Sequence, residues 1–231
     1  MRSILVFIIL AFCGSANGQY VSAIIKDPDG YTNVRKDSSS NSMVVDKILE
    51  GEVFTYNGDS WYEEKNWIGV AINRTNNRDK CKYLSTMWEG GYMHKSRVHI
   101  MSEMPNNFRR SITDSSVQLI GDNFHAKIDV RNLSQNEIDT LSEDACIWGT
   151  DLGNPQNVIS GLQLTAYGIL VSVPSKEYED LYKVTLDETY IKTYMNFIYI
   201  IMSNSSGAGF YEIIWVFKDG IYQRRYINIA P

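Results

Sequence analysis

The sequence predicts a mainly β protein: a small N-terminal β unit followed by an antiparallel, β-rich domain with one short helix. Three observations predict it. Apolar and polar residues alternate over short runs, most clearly in Trp67-Ile68-Gly69-Val70-Ala71-Ile72, where Ile68, Val70 and Ile72 share one face. Turn chemistry such as Asp27-Pro28-Asp29-Gly30, Asn57-Gly58-Asp59 and Asp219-Gly220 punctuates these runs. Helix chemistry is concentrated in one stretch, where Ser134 can cap, Glu137 can reach back, and Ile138 and Leu141 supply an apolar face.

The first residues, Met1-Arg2-Ser3, precede an apolar run ending at Phe12 and the small residues Ala16 and Gly18. A basic start, a short apolar core and small exit residues describe a secretory signal peptide over 1–18, cleaved after Gly18. The run is shorter than the roughly 20 apolar residues a membrane span needs. Cys13 as a lipidated cysteine is the competing reading, opposed by the bulky Phe12 before it. Export implies the periplasm or the extracellular space. The formal net charge of −5 argues against nucleic acid as a partner, since that binding needs clustered Lys and Arg. Cys81 and Cys146 follow the leader, and an oxidising compartment permits either a disulfide between the two halves or two separately buried thiols.

Residues 19–101 read as short strands: 21–25, 31–35, 53–56, 67–72 and 91–98, with a serine-rich loop over 36–42 and a polar excursion over 73–90. Residues 102–116, with Pro105-Asn106-Asn107 and small polar side chains, read as a linker. The second domain, 117–231, holds a strand over 124–130, the short helix, and a strand over 162–173 closed by Pro174. A three-stranded meander follows over 196–202, 210–217 and 221–229, its last turn marked as type I′ by Asp219-Gly220.

In the first unit, Asp29-Gly30-Tyr31-Thr32-Asn33-Val34-Arg35 is similar to the opening signature of bacterial SH3 (SH3b) domains. Ile48, Gly51 and Val53, then Trp67 and Val70, then Gly91-Tyr92-Met93-His94 with Ser96 and Val98, resemble that family's later segments in order, with Tyr92 where its tryptophan stands. The resemblance implies an SH3-like small barrel that binds cell-wall peptide or an envelope protein. In the second half, Trp148-Gly149-Thr150-Asp151, Gly207-Ala208-Gly209, Trp215 and Lys218-Asp219-Gly220 resemble an uncharacterised domain of exported Bacteroidetes-type proteins.

The residue inventory supplies no recognisable catalytic or metal site and implies no cofactor. A cysteine peptidase needs a histidine base with its thiolate, and in the cell-wall peptidases that base follows the cysteine. Here His94, His99 and His125 all precede Cys146. The second domain has one histidine, too few for a zinc hydrolase, and there is no Gly-x-Ser-x-Gly elbow. A carboxylate pair stays open, with Asp151, Glu188 and Glu212 as candidates that no spacing singles out. Binding residues are sought instead among aromatics. If Ile68, Val70 and Ile72 face the core, Trp67 lies on the other face of its strand. Tyr31, Trp61 and Tyr92 flank that region in the SH3b arrangement. Such rings suit peptides and sugars, or else close the ends of a barrel. The expected protein is an exported, non-catalytic binder. The alternatives are a hydrolase with a carboxylate site, and an inhibitor or immunity-type protein acting through its C-terminal domain.

Overall fold

The computed structural model describes residues 20–73, 90–141, 147–150, 155–204 and 209–229. The expected leader, the lipidation alternative at Cys13, the possible Cys81–Cys146 bridge and Asp151 fall outside these residues. The fold is mainly β and antiparallel.

Seven strands build the N-terminal unit: β1 (Tyr20–Ile25), β2 (Tyr31–Arg35), β3 (Val44–Leu49), β4 (Phe54–Asn57), β5 (Trp67–Ala71), β6 (Gly90–His94) and β7 (Val98–Ile100). They form one sheet in the order β3-β2-β6-β5-β4-β1-β7. Every strand sends side chains into a single core, including Ile25, Val34, Ile48, Phe54, Ile68, Met93 and Ile100. A sheet whose strands all meet one core must curl around it into a small, open barrel. The alternation in Trp67–Ala71 works as its sequence implies, with Ile68 and Val70 buried and Gly69 exposed. Asn57-Gly58-Asp59 makes a single helical turn rather than a plain turn, because the Asn57 side chain accepts from the Asp59 amide and caps Gly58–Trp61.

The remaining chain builds two more sheets. One runs β12-β11-β10-β9-β8, from β8 (Arg109–Thr113), β9 (Ser116–Ile120), β10 (Phe124–Asn132), β11 (Asn157–Ala166) and β12 (Ile169–Ser172). The other is the meander β13 (Thr189–Tyr194), β14 (Phe197–Asn204), β15 (Tyr211–Lys218) and β16 (Ile221–Asn228), in sequence order. The helix Gln135–Thr140 carries the full Ser134–Glu137 capping box. Asp219 (φ 52°) and Gly220 (φ 76°) make the predicted turn between β15 and β16.

Three expectations fail for identifiable reasons. Residues 91–98 do not form one strand, because His94 caps a 3-10 turn over Lys95–Arg97 that separates β6 from β7. Residues 162–173 do not form one strand. Tyr167 (φ 51°) and Gly168 (φ 79°) reverse the chain, and β12 folds back on β11. Nor are residues 102–116 a free linker. Arg109–Thr113 pairs with β9 as an edge strand. Met101 and Met104 are buried, and the Lys192 ammonium donates to the carbonyls of Ser102 and Met104. Polar composition hid this segment because most of its side chains are exposed, while backbone pairing, Met104, Phe108 and the Arg110 bonds to the Asp187 and Thr189 carbonyls anchor it.

The layers meet through β13–β16. One face of this sheet, carrying Ile198, Ile200, Met202, Ile213, Trp215 and Phe217, packs against the five-stranded sheet. The opposite face, carrying Phe197, Tyr199, Ile201, Ile214, Val216 and Tyr226, packs against Ile24, Val53, Met101 and Met104. Strand β14 is buried at seven of its eight positions for this reason. Strand β1 divides its side chains likewise: Ala23 and Ile25 enter the barrel core, and Ile24 faces the sheet.

Gly51 fits this contact tightly. It adopts φ +82° in the turn before Val53, and a Cβ there would lie 2.1 Å from the Phe197 ring. Gly30 has a similar φ of +73° but open space around it. Gly30→Ala is therefore expected to cost only the left-handed backbone penalty, about 1–2 kcal/mol. Gly51→Ala should cost clearly more in urea denaturation, because it adds a clash at the interface. Equal losses would mean that the contact between barrel and sheet adds nothing to stability.

Candidate functional site

The outer face of the barrel carries Tyr31, Trp67 and Tyr92 of the four aromatic residues singled out from the sequence. Antiparallel pairing puts Trp67 opposite His94, Gly69 opposite Tyr92, and Arg35 opposite Tyr92. Because side chains alternate, Tyr31, Asn33 and Arg35 of β2 join Tyr92 and His94 of β6 and Trp67 of β5 on one surface. Tyr31 and Trp67 line an open groove of about 390 Å³ there, with Ser40 from the serine-rich loop. Tyr92 is 40% exposed on the same surface beside it. Trp61 is placed elsewhere. It packs partly buried on the barrel core, 5.6 Å from the Tyr56 ring, and Lys95 donates to its carbonyl. Its strand-to-helix position sets it apart from the groove.

The groove is held by its own hydrogen bonds. Asp27 accepts from Thr32 Oγ1 at 2.7 Å and pairs with Arg97 at 3.1 Å, so this carboxylate shapes the turn. Arg35 donates to the Ser42 carbonyl at 2.6 Å and fixes the loop over 36–42. Lys47 lies 4.2 Å from the Tyr31 ring centre. The Trp67 indole meets the His94 imidazole edge-on at 5.5 Å. His94 Nδ1 accepts the Ser96 amide, which leaves the proton of a neutral ring on Nε2. Asp29, Asn33 and Arg35 add groups of both signs and a carboxamide to the aromatic wall. Such a surface can stack on a ring or a planar peptide and hydrogen-bond along its length.

A second site was not legible as a site from sequence. Between the barrel and β13–β16 lies a cavity of about 430 Å³, whose wall includes Glu188 and Glu212. These two acids have no informative spacing. Only the fold brings them to one cavity. On β15 the odd positions from Tyr211 to Phe217 enter the core between the sheets, so Glu212 points to the barrel. It accepts Ser22 Oγ at 2.5 Å and the Tyr190 hydroxyl at 3.2 Å, and Asn228 donates as well. Burial nevertheless pushes its carboxyl upward from the ordinary 4.5, with the three hydrogen bonds opposing the shift. Glu212 keeps partial exposure where it meets the cavity.

A raised carboxyl means that the folded state holds this proton more tightly than the unfolded chain. The stabilisation is complete below pH 4.5 and is lost as pH rises through the folded value. Glu212→Gln cannot ionise, and the Ser22 and Tyr190 hydroxyls can accept from its amide. The Tm of the Gln variant is expected to exceed that of the parent near pH 7.5 and to converge on it near pH 4. Parallel Tm–pH curves would show that Glu212 titrates normally. Neither site has a counterpart from which a role could be read: comparison with protein-family models, curated proteins and solved structures finds no match.

Proposed function

We propose that the protein is an exported, non-catalytic binding protein whose barrel takes a peptide of the cell wall or of an envelope protein into the groove beside Tyr31 and Trp67. One observation carries the reading: an aromatic groove with charges of both signs stands open on β2, β5 and β6, strands that give no residue to the buried interface cluster. Large apolar rings left at a surface and rimmed by polar groups are typical of recognition sites. The SH3b resemblance of the strands that build the groove points to the same ligand class. Export and the cell-wall partner rest on the leader pattern and that resemblance.

Trp67→Ala in the full chain should weaken retention on purified peptidoglycan or on an envelope extract by about 1–3 kcal/mol, the loss typical of an aromatic contact residue. Its Tm should stay close to the parent's, since the ring lies outside the core cluster. A lower Tm with unchanged retention would assign Trp67 to the scaffold and remove the groove from the proposal. Incubation with purified cell wall is expected to release no soluble fragments. Release that disappears in Glu212→Gln would replace binding by hydrolysis.

A further inference from the structure

The cavity between barrel and sheet has features that the groove does not share, and they concern a different ligand. Glu188 and Glu212 line it, whereas Lys, Arg and His are missing from its described wall. Tyr20, Tyr190 and Phe210 bring three aromatic side chains to the same wall, beside small polar and aliphatic ones. Glu212 receives three neutral donors, from Ser22, Tyr190 and Asn228. A carboxylate offers about four acceptor positions, so one is left for a group entering the cavity. The Lys192 ammonium donates to the Ser102 and Met104 carbonyls and lies 5.8 Å from the Tyr190 ring centre. An ionised Glu212 is thus hydrogen-bonded without a partner cation among the groups that set its titration.

We propose that this cavity binds a small organic cation, a primary ammonium that docks on the Glu212 carboxylate beside Tyr20, Tyr190 and Phe210. A partly buried carboxylate is costly when ionised with no cation beside it, and a ligand that brings the missing charge recovers part of that cost. The rings favour the same ligand, because aromatic faces attract ammonium groups. The volume of about 430 Å³ lies within the range of small-molecule sites. Neither peptide binding in the groove nor the SH3b resemblance is needed for this inference.

Isothermal titration of the full chain with cadaverine at pH 7.5 tests it, with 1,5-pentanediol as the uncharged isostere and calcium as the inorganic cation. Cadaverine should bind saturably, and the diol and calcium should not. Glu212→Gln should weaken cadaverine by about tenfold or more, as loss of a charge-assisted hydrogen bond implies. Trp67→Ala should leave cadaverine binding unchanged. If Glu212→Gln does not fold, Ser203→Lys provides a second variant, placing a tethered ammonium in the same wall and abolishing the binding. No saturable cadaverine binding, equal binding by the diol, calcium competing at equal concentration, or full binding by either cavity variant would overturn the proposal. So would a cavity whose only response is the pH-dependent Tm of Glu212.

Discussion

The structure depends on one constraint: the meander β13–β16 is covered on both faces. An antiparallel sheet usually buries one face and wets the other, which gives a clean alternation of apolar and polar side chains. Here the alternation is replaced by two apolar registers. Ile198, Ile200 and Met202 serve the five-stranded sheet, and Phe197, Tyr199 and Ile201 serve the barrel. The hydrophobic effect drives both contacts, and neither neighbour can be removed without exposing a continuous row of large side chains. The barrel and the C-terminal half are therefore one packed body, joined through β1 and the Met101–Met104 segment.

The polar groups inside this body lie where its layers are stitched together. Arg225 is fully buried on β16 and donates both ends of its guanidinium to Asp180, at 2.6 and 2.7 Å, with a further bond to the Glu177 carbonyl. Trp215 donates to that same carbonyl, and Tyr222 to the Glu177 carboxylate. Together they clamp the 177–180 loop over the edge of the sheet. Lys192 does the equivalent for residues 102–104 on the barrel side. Each of these ions is hydrogen-bonded within the fold, as a buried charge requires. Glu212 differs in that, besides its donors Ser22, Tyr190 and Asn228, it meets a cavity.

Much of the fold was legible because it is written in local patterns. The Trp67–Ala71 alternation, the Ser134–Glu137 box and the Asp219-Gly220 turn each specify geometry within a few residues, and each forms as read. The turn at Tyr167-Gly168 escaped because a tyrosine in the left-handed region is uncommon, and the apolar run continues on both sides of it. The second register of β14 is visible as an unbroken apolar run, but periodicity does not say what covers each face. The same limit governs the sites. Tyr31 and Trp67 could be grouped because strand parity places them on one surface. Trp61 was misplaced because a capped helical turn redirects it to the barrel core. Glu188 and Glu212 meet only through tertiary packing, so their spacing carried no signal.

The packing also explains why a groove on so small a barrel can stay open. A lone barrel of this size has little core, and its exposed aromatics would compete to be buried. Here β1 and the Gly51 turn are docked on a sheet that is itself backed by another, which fixes the barrel through one flank. Strands β2, β5 and β6 sit away from that docked edge in the sheet order β3-β2-β6-β5-β4-β1-β7. Their outer face is free to carry Tyr31, Trp67 and Tyr92 without contributing to the interface. The C-terminal half thus acts mechanically as a mount. It stabilises the barrel from the side that binds nothing in the groove, and in doing so supplies one wall of the open cavity that Glu212 lines.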